Sequence, residues 1–298
     1  MESITAISGN SGPKVRSDCE IRLELKSSGG IQIDLESRVQ VLYGESIKSL
    51  FRDILDFFSI RDASLKIIDS GALPFVISAR LESAIKKLSD TNLEYLPAFR
   101  EDGKYQTSRG RFRITRLYLP GNTPSLMINA GLHSADGIIL DLEDSVAHDR
   151  KDEARILVRN ALRQIDFRGA ERMVRINQGD KGLTDLEWVI PHNVNVVLIP
   201  KCESAGSVRL ADNKIAEIKK ACNLTGPVYL MPIIETAMGV EKAFEIAGSS
   251  ENIVAMAVGL EDLTADLGVT RTREGLESLY ARTRIIVASK ACGIQPID

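Results

Sequence analysis

The chain has 298 residues, 44% apolar and 5% aromatic, enough to bury a substantial core and too apolar for global disorder. A net charge of −3 excludes nucleic acid as the main partner, because neutralising phosphates takes a clustered excess of lysine and arginine. No apolar run approaches the roughly 20 residues that cross a bilayer, and the N-terminus lacks a basic-then-apolar signal pattern, so the expectation is a soluble, cytoplasmic protein with no membrane partner.

The first twenty residues, "MESITAISGNSGPKVRSDCE", are rich in Ser and Gly and are expected to be mobile. "EIRLELKSSGGIQIDLESRV" then alternates apolar and polar residues on both sides of "SSGG" and predicts a β-hairpin, with Ile21, Leu23 and Leu25 answered by Ile31, Ile33 and Leu35. Ile47, Leu50, Phe51, Ile54, Leu55 and Phe58 follow at helical spacing. "SLKIID" and "LPFVISARLESAIKK" predict two more strands, the second running into a helix. Residues 1–88 therefore read as a small α+β domain and the polar stretch 89–112 as a linker.

From residue 113 to 298 the pattern changes. Short runs that are apolar throughout ("RLYLPG", "DGIILDLEDSV", "RMVRIN", "VNVVLIPK", "VYLMPIIET", "NIVAMAVGLEDL", "GIQPID") alternate with helical stretches. Such alternation predicts a parallel sheet covered on both faces, and seven units in series favour a (β/α) barrel over a doubly wound sheet. No glycine-rich nucleotide fingerprint is present. Cys19, Cys202, Cys222 and Cys292 share no CxxC spacing, which argues for reduced thiols rather than zinc or a disulfide framework.

In these folds the working residues lie at the C-terminal ends of the strands. Collected there are Asp141, Glu143, Asp144, Arg175, Asn177, Lys201, Glu203, Glu235, Glu261 and Asp262. Carboxylates crowded on one rim repel unless a cation sits among them, and a hard divalent ion, Mg²⁺ or Mn²⁺, would relieve this. Glu235, which ends the apolar run of "PIIETAMG", is a candidate metal ligand, and the turn after it offers backbone N–H groups to a carboxylate. Asp144 and Asp266 read as helix caps and Glu203 as a solvated position. His133 and His192 read as structural or surface residues, with His148 near the rim.

"LYLPGNTPSLMINAGLHSADGIILDLEDSVAHDRKDEAR", "VRIN", "LIPKCES", "PIIETAMGV" and "VGLEDLTADLG" occur in that order from about residue 114 to the end. Together they resemble the citrate lyase β-subunit family of the HpcH/HpaI aldolase superfamily, which includes malyl-CoA and citramalyl-CoA lyases. The N-terminal domain resembles the acyl carrier, or γ, subunit of citrate lyase. The resemblance implies a TIM-type (β/α)8 barrel and a lyase that cleaves a citryl, citramalyl or malyl thioester to an oxo acid and an acyl thioester. It implies Mg²⁺ on Glu235 and Asp262, a substrate carboxylate on Arg175, and a supporting charged cluster that includes Glu143 and Lys151. The amides of Ala237, Met238 and Gly239 would hold a carboxylate oxygen. The thiol so implied is CoA or a phosphoribosyl-dephospho-CoA group, and the expected partners are another lyase subunit or further copies of the chain.

Three departures from the family pattern qualify this. Arg16 stands where the carrier serine belongs, leaving Ser17 as the possible attachment point and a carrier-like domain that no longer carries as the simpler reading. Ile114 and Thr115 replace an arginine and a serine near the start of the barrel, with Arg113 and Arg116 beside them as substitutes. From residue 114 the chain offers about 185 residues, against roughly 250 for a full barrel and rarely fewer than 200. The last unit and the family's C-terminal segment are therefore expected to be missing. The alternative function is a non-catalytic or split-enzyme subunit completed by a partner chain; a thioester hydrolase with the same metal site is a third reading.

Overall fold

The structure, a computed structural model, describes residues 4–298 and divides into two compact units. The first comprises the chain up to Gly103 together with Pro120–Ala130 and Val146–Asp166; the second comprises Lys104–Leu119, Gly131–Ser145 and Phe167–Asp298.

In the first unit, strands β1 (Thr5–Gly9), β2 (Cys19–Leu25) and β3 (Ile31–Ser37) are followed by helix α1 (Gln40–Phe57), strand β4 (Ala63–Asp69) and helix α2 (Pro74–Leu88). The sheet order is β1-β2-β4-β3. Three expectations change here. The N-terminal segment contributes an edge strand, with Ala6 pairing Leu23 and Gly9 pairing Glu20. Gly9 is required at its position, since its φ is +85° and a Cβ there would lie 1.8 Å from the Cys19 carbonyl.

The predicted hairpin does not form. β2 runs antiparallel to β4 while β3 runs parallel to it, so β4 lies between them. Alternation fixes which face of a strand is buried but does not choose its neighbour, and the crossover through α1 brings β4 into the gap. Finally, "LPFVISARLESAIKK" is helical from its second residue on. Pro74 starts the helix, and every residue from Phe75 to Ile85 is buried; apolar cover all round hides the helical period.

Helix α3 (Pro124–Met127) and helix α4 (Lys151–Gln164) also belong to the first unit, and α4 packs on α2. Buried ion pairs hold these elements together. Arg80 forks onto Asp18 at 2.9 Å through both Nε and Nη2, Arg159 forks onto Glu82 at 2.9 and 2.6 Å, and Glu153 accepts from the Ser8 hydroxyl at 3.0 Å. The polar stretch before Gly103 is tied down as well, with the Arg163 guanidinium 3.7 Å from the Phe99 ring centroid.

The second unit carries a seven-stranded sheet whose spatial order is its chain order. The strands are β5 (Arg116–Pro120), β6 (Gly137–Asp141), β7 (Glu171–Arg175), β8 (Val196–Ile199), β9 (Tyr229–Ile234), β10 (Ala255–Val258) and β11 (Gln295–Ile297). All seven predicted strands are present, and β6 through β11 pair in parallel. Helices α5 (Gly179–Val189), α6 (Ala205–Ala221), α7 (Ala237–Glu241), α8 (Ala243–Ala247), α9 (Leu260–Asp266) and α10 (Leu279–Ala291) fall between β7 and β11. Ile139, Met173, Val196, Leu198, Met231, Ile233, Ala255 and Ile297 form the core.

At the N-terminal ends of the strands, Glu171 accepts from Thr107 at 2.6 Å and from the Arg113 fork at 2.7 and 2.8 Å. Arg116, the first residue of β5, donates to the Asp298 carbonyl at 3.0 Å. Arg113 is thus spent on Glu171 at the opposite end from the C-terminal rim, whereas Asp298, which Arg116 meets, directly follows β11. Side chains link the two ends of the sheet order, with Gln295 donating to the Arg111 carbonyl at 2.7 Å.

Candidate active site

The C-terminal ends of parallel strands gather loops and helix starts, which is where such sheets bind ligands. At the end of β6, Asp141 is buried and accepts two backbone bonds, from Glu143 N–H at 2.9 Å and Ser145 N–H at 3.1 Å. Arg175, the last residue of β7, forks onto the same carboxylate with Nε and Nη2 both at 2.7 Å. Burial alone would raise Asp141, but Arg175 and the backbone donors hold it below the usual carboxylate range. Nη1 of Arg175 lies 3.2 Å from Glu143, and its guanidinium sits 5.4 Å from the Tyr118 ring centroid. Glu143 is further held by Gln178 at 2.8 Å.

Lys201 follows β8. Its φ is +44°, a left-handed conformation rare for a residue with a side chain. That conformation directs its backbone N–H to Glu235 Oε2 at 3.0 Å. Its ammonium lies 3.7 Å from Glu143, 3.6 Å from Asp144 and 3.6 Å from Asp262. These carboxylates raise the lysine above its ordinary value despite partial burial.

Glu235, directly after β9, is 5% exposed. Burial pushes its carboxyl up to about 7; Asp262 and Glu143 add to the rise, and the Lys201 amide and Arg175 oppose it. Gly259 is needed opposite, since a Cβ there would lie 2.5 Å from the Glu235 side chain. Asp262 sits in the first turn of α9, following β10, and its side chain is 40% exposed.

The turn after Glu235 is partly engaged within the chain. The Ala237 N–H donates to Asp266 at 2.8 Å, and the Gly239 N–H donates to the Thr236 hydroxyl at 3.1 Å. Of the three amides expected to hold a substrate carboxylate, those of Ala237 and Gly239 already have acceptors, and Met238 is half-exposed. Lys151 begins α4 in the first unit, as does His148 in the turn before it, whereas Arg175, Glu143, Glu235 and Asp262 all lie in the second. Ser17, also in the first unit, has a φ of 56° and donates its N–H to the Ser70 carbonyl at 3.0 Å.

The donor set suits a small hard cation. Among the described residues no three His, Cys, Asp or Glu side chains gather as a metal-binding group. Mg²⁺ commonly takes one or two protein carboxylates and fills its octahedron with water and substrate oxygens, and Glu235 and Asp262 meet that number. A buried carboxylate pushed up by an acidic neighbour is one that a divalent ion would stabilise in its charged form. Sequence reasoning placed Lys201 and Asp141 on the rim without assigning them roles, and it missed Tyr118 and Gln178 altogether. Beside the rim, a cavity of about 230 Å³ is lined by Gln178, Lys201, Leu183, Ile199 and Leu210.

Two family models match the chain. A family model described as HpcH/HpaI aldolase/citrate lyase matches residues 114–298, and one described as malonate decarboxylase delta subunit (MdcD) matches residues 7–88. The citrate lyase subunit beta of Haemophilus influenzae is 39% identical over 191 residues, 63% of this chain and 66% of that protein. The human mitochondrial citramalyl-CoA lyase is 34% identical over 194 residues, 61% of this chain and 57% of that protein. This chain spans just under two thirds of the first of these relatives. The CitE protein of Mycobacterium tuberculosis, solved in complex with magnesium and acetoacetate, is 31% identical with a TM-score of 0.50, covering 63% of this chain and 73% of that one. The same protein with magnesium, acetoacetate and coenzyme A gives 30% identity and a TM-score of 0.51, covering 63% of this chain and 66% of that one. The chain belongs to the HpcH/HpaI aldolase/citrate lyase family.

Proposed function

We propose that the second unit is a TIM-type barrel enzyme, a Mg²⁺-dependent carbon–carbon lyase acting on a citryl, citramalyl or malyl thioester. The observation that carries this is the placement of Glu235 and Asp262 at the ends of neighbouring strands β9 and β10, with Arg175 and Lys201 ion-paired on the same rim. Glu235 and Asp262 would hold the metal, which when bound supplies Lewis acidity at a substrate oxygen.

The chain's own groups do the rest. Asp141 fixes the Arg175 plane, so the guanidinium presents its remaining N–H bonds in a set direction to a substrate carboxylate. Tyr118, whose hydroxyl is raised above its ordinary value by partial desolvation, walls one side of that guanidinium. Glu143 braces Arg175 through Nη1. In cleavage the substrate hydroxyl gives its proton to a base, its C–O becomes the carbonyl of the oxo acid as the adjacent C–C bond breaks, and the electron pair of that bond goes to the thioester as an enolate, which takes up a proton to give the acyl thioester. The oxo acid departs from the Arg175 side.

The first unit completes the reading as a carrier-like domain. Ser17 is its candidate attachment point for a phosphoribosyl-dephospho-CoA group, and mass spectrometry of the intact chain tests this. Free CoA thioesters are the other substrate form. The assembly proposed is a homo-oligomer or a complex with another lyase subunit, in the cytoplasm; no helix among the described residues is long and apolar enough to cross a membrane.

The test is release of pyruvate, glyoxylate or oxaloacetate from citramalyl-, malyl- and citryl-CoA by the purified chain. Release that requires Mg²⁺ is expected from at least one of them. No release from any, at saturating Mg²⁺ and with the protein folded, overturns the reading in favour of a non-catalytic subunit.

A further inference from the structure

Lys201 meets four acids of the rim, and does so with two different parts of itself. Its backbone N–H is fixed on Glu235 at 3.0 Å. Its ammonium lies 3.6 Å from Asp262 and Asp144 and 3.7 Å from Glu143. The residue thereby joins the two acids assigned to the metal, one through the main chain and the other through the side chain. The main-chain bond is held in a left-handed conformation at φ +44°, which is strained for a residue with a Cβ. With its side chain 30% exposed, the ammonium is not walled in.

A monovalent cation placed this way has a definite consequence. It offsets the repulsion among carboxylates, and at 3.6 Å from Asp262 it competes in charge with a divalent ion for that carboxylate. We infer that Lys201 is a positioning residue that acts as the resident counter-cation of the site, keeping Asp262 and the Glu143–Asp144 pair in place and yielding Asp262 when a divalent cation binds. The inference rests on the assignment of Glu235 and Asp262 as metal ligands.

Substituting the ammonium while keeping the stem and the backbone amide isolates the effect. In Lys201→Met the competitor is gone and the Glu235 contact stays, so divalent affinity should rise, by about tenfold for a unit charge removed from this distance in a partly exposed site. Lys201→Arg keeps the charge and should stay within about twofold of wild type. A lysine that merely braced the fold would give the opposite sign, because loosened ligands bind metal more weakly.

The experiment is titration of the full chain with Mn²⁺, free Mn²⁺ being read by electron paramagnetic resonance, alongside thermal melts in the absence of metal. Tighter binding in Lys201→Met, wild-type-like binding in Lys201→Arg and a lower metal-free melting temperature for Lys201→Met support the inference. Equal or weaker Mn²⁺ binding by folded Lys201→Met overturns it while leaving the metal site intact. If neither wild type nor Lys201→Met takes up Mn²⁺, the metal assignment itself falls and the inference with it. Lys201→Gln is read in the same way should Lys201→Met not fold.

Discussion

Arg80 in the first unit and Arg175 in the second each grip one aspartate with two parallel hydrogen bonds, at 2.9 Å in the former and 2.7 Å in the latter. Their surroundings differ. Arg80, Asp18 and Glu153 are all buried, and the arginine lies 3.7 Å from Glu153 as well, so its charge is spent on packing elements together. Around Arg175 the carboxylates outnumber the cations, and Lys201 and Asp262 remain open to solvent with side chains 30% and 40% exposed. Sealed ion pairs hold a fold; a surplus of acid at an open strand end invites another cation.

That contrast can be broken or sharpened by substitution. The largest effect is expected on activity. Glu235→Ala and Asp262→Ala should each lower Mg²⁺-dependent thioester cleavage by more than about a hundredfold, the loss that outer-shell partners alone produce, with circular dichroism unchanged. Next comes stability in the sealed region. Arg80→Met strips buried Asp18 of its arginine, while Glu153 keeps Arg150 and Lys87, and should cost about 3–5 kcal/mol in urea unfolding, while Mn²⁺ affinity stays at the wild-type value.

A smaller effect concerns pH. The Glu235 carboxyl stands at about 7 in the fold against an ordinary 4.5, so the folded state holds the proton more tightly. Its contribution to stability is therefore fully present below pH 4.5 and is lost as the pH rises through 7. In the absence of metal, Glu235→Gln should be more stable than wild type at pH 8 by up to about 3 kcal/mol and equal to it near pH 4. Divalent metal affinity of the wild type should rise across the same interval, because the ligand must be ionised. The smallest effect belongs to exposed pairs. Glu45→Ala, which breaks the contact with Lys48, should change stability by less than about 0.5 kcal/mol.

The strands of the second unit were legible because parallel strands are apolar throughout, which separates "GIIL" or "VVLI" from the helices around them. The first unit was less so. Alternation in β2 and β3 showed which side chains turn inward, yet it could not say that β4 lies between them. Helix α2 is buried all round and lost its period, and β1 was hidden among serines and glycines because its partner comes from elsewhere in the chain.

At the site, strand ends alone pointed to Glu235 and Asp262. The fork of Arg175 on Asp141, the engagement of the Ala237 amide by Asp266 and the left-handed Lys201 depend on side-chain direction across strands, which no spacing encodes. Family resemblance supplied roles for residues that the spacing could only place on a rim. Lys151, brought in by resemblance, lies in the other unit.

The most direct test is anomalous diffraction from crystals of the full chain grown with Mn²⁺. One peak should appear with carboxylate oxygens of Glu235 and Asp262 each about 2.1 Å away. Peaks only at other positions, or well-ordered Glu235 and Asp262 carboxylates pointing apart with no ion between them at saturating Mn²⁺, would contradict the account.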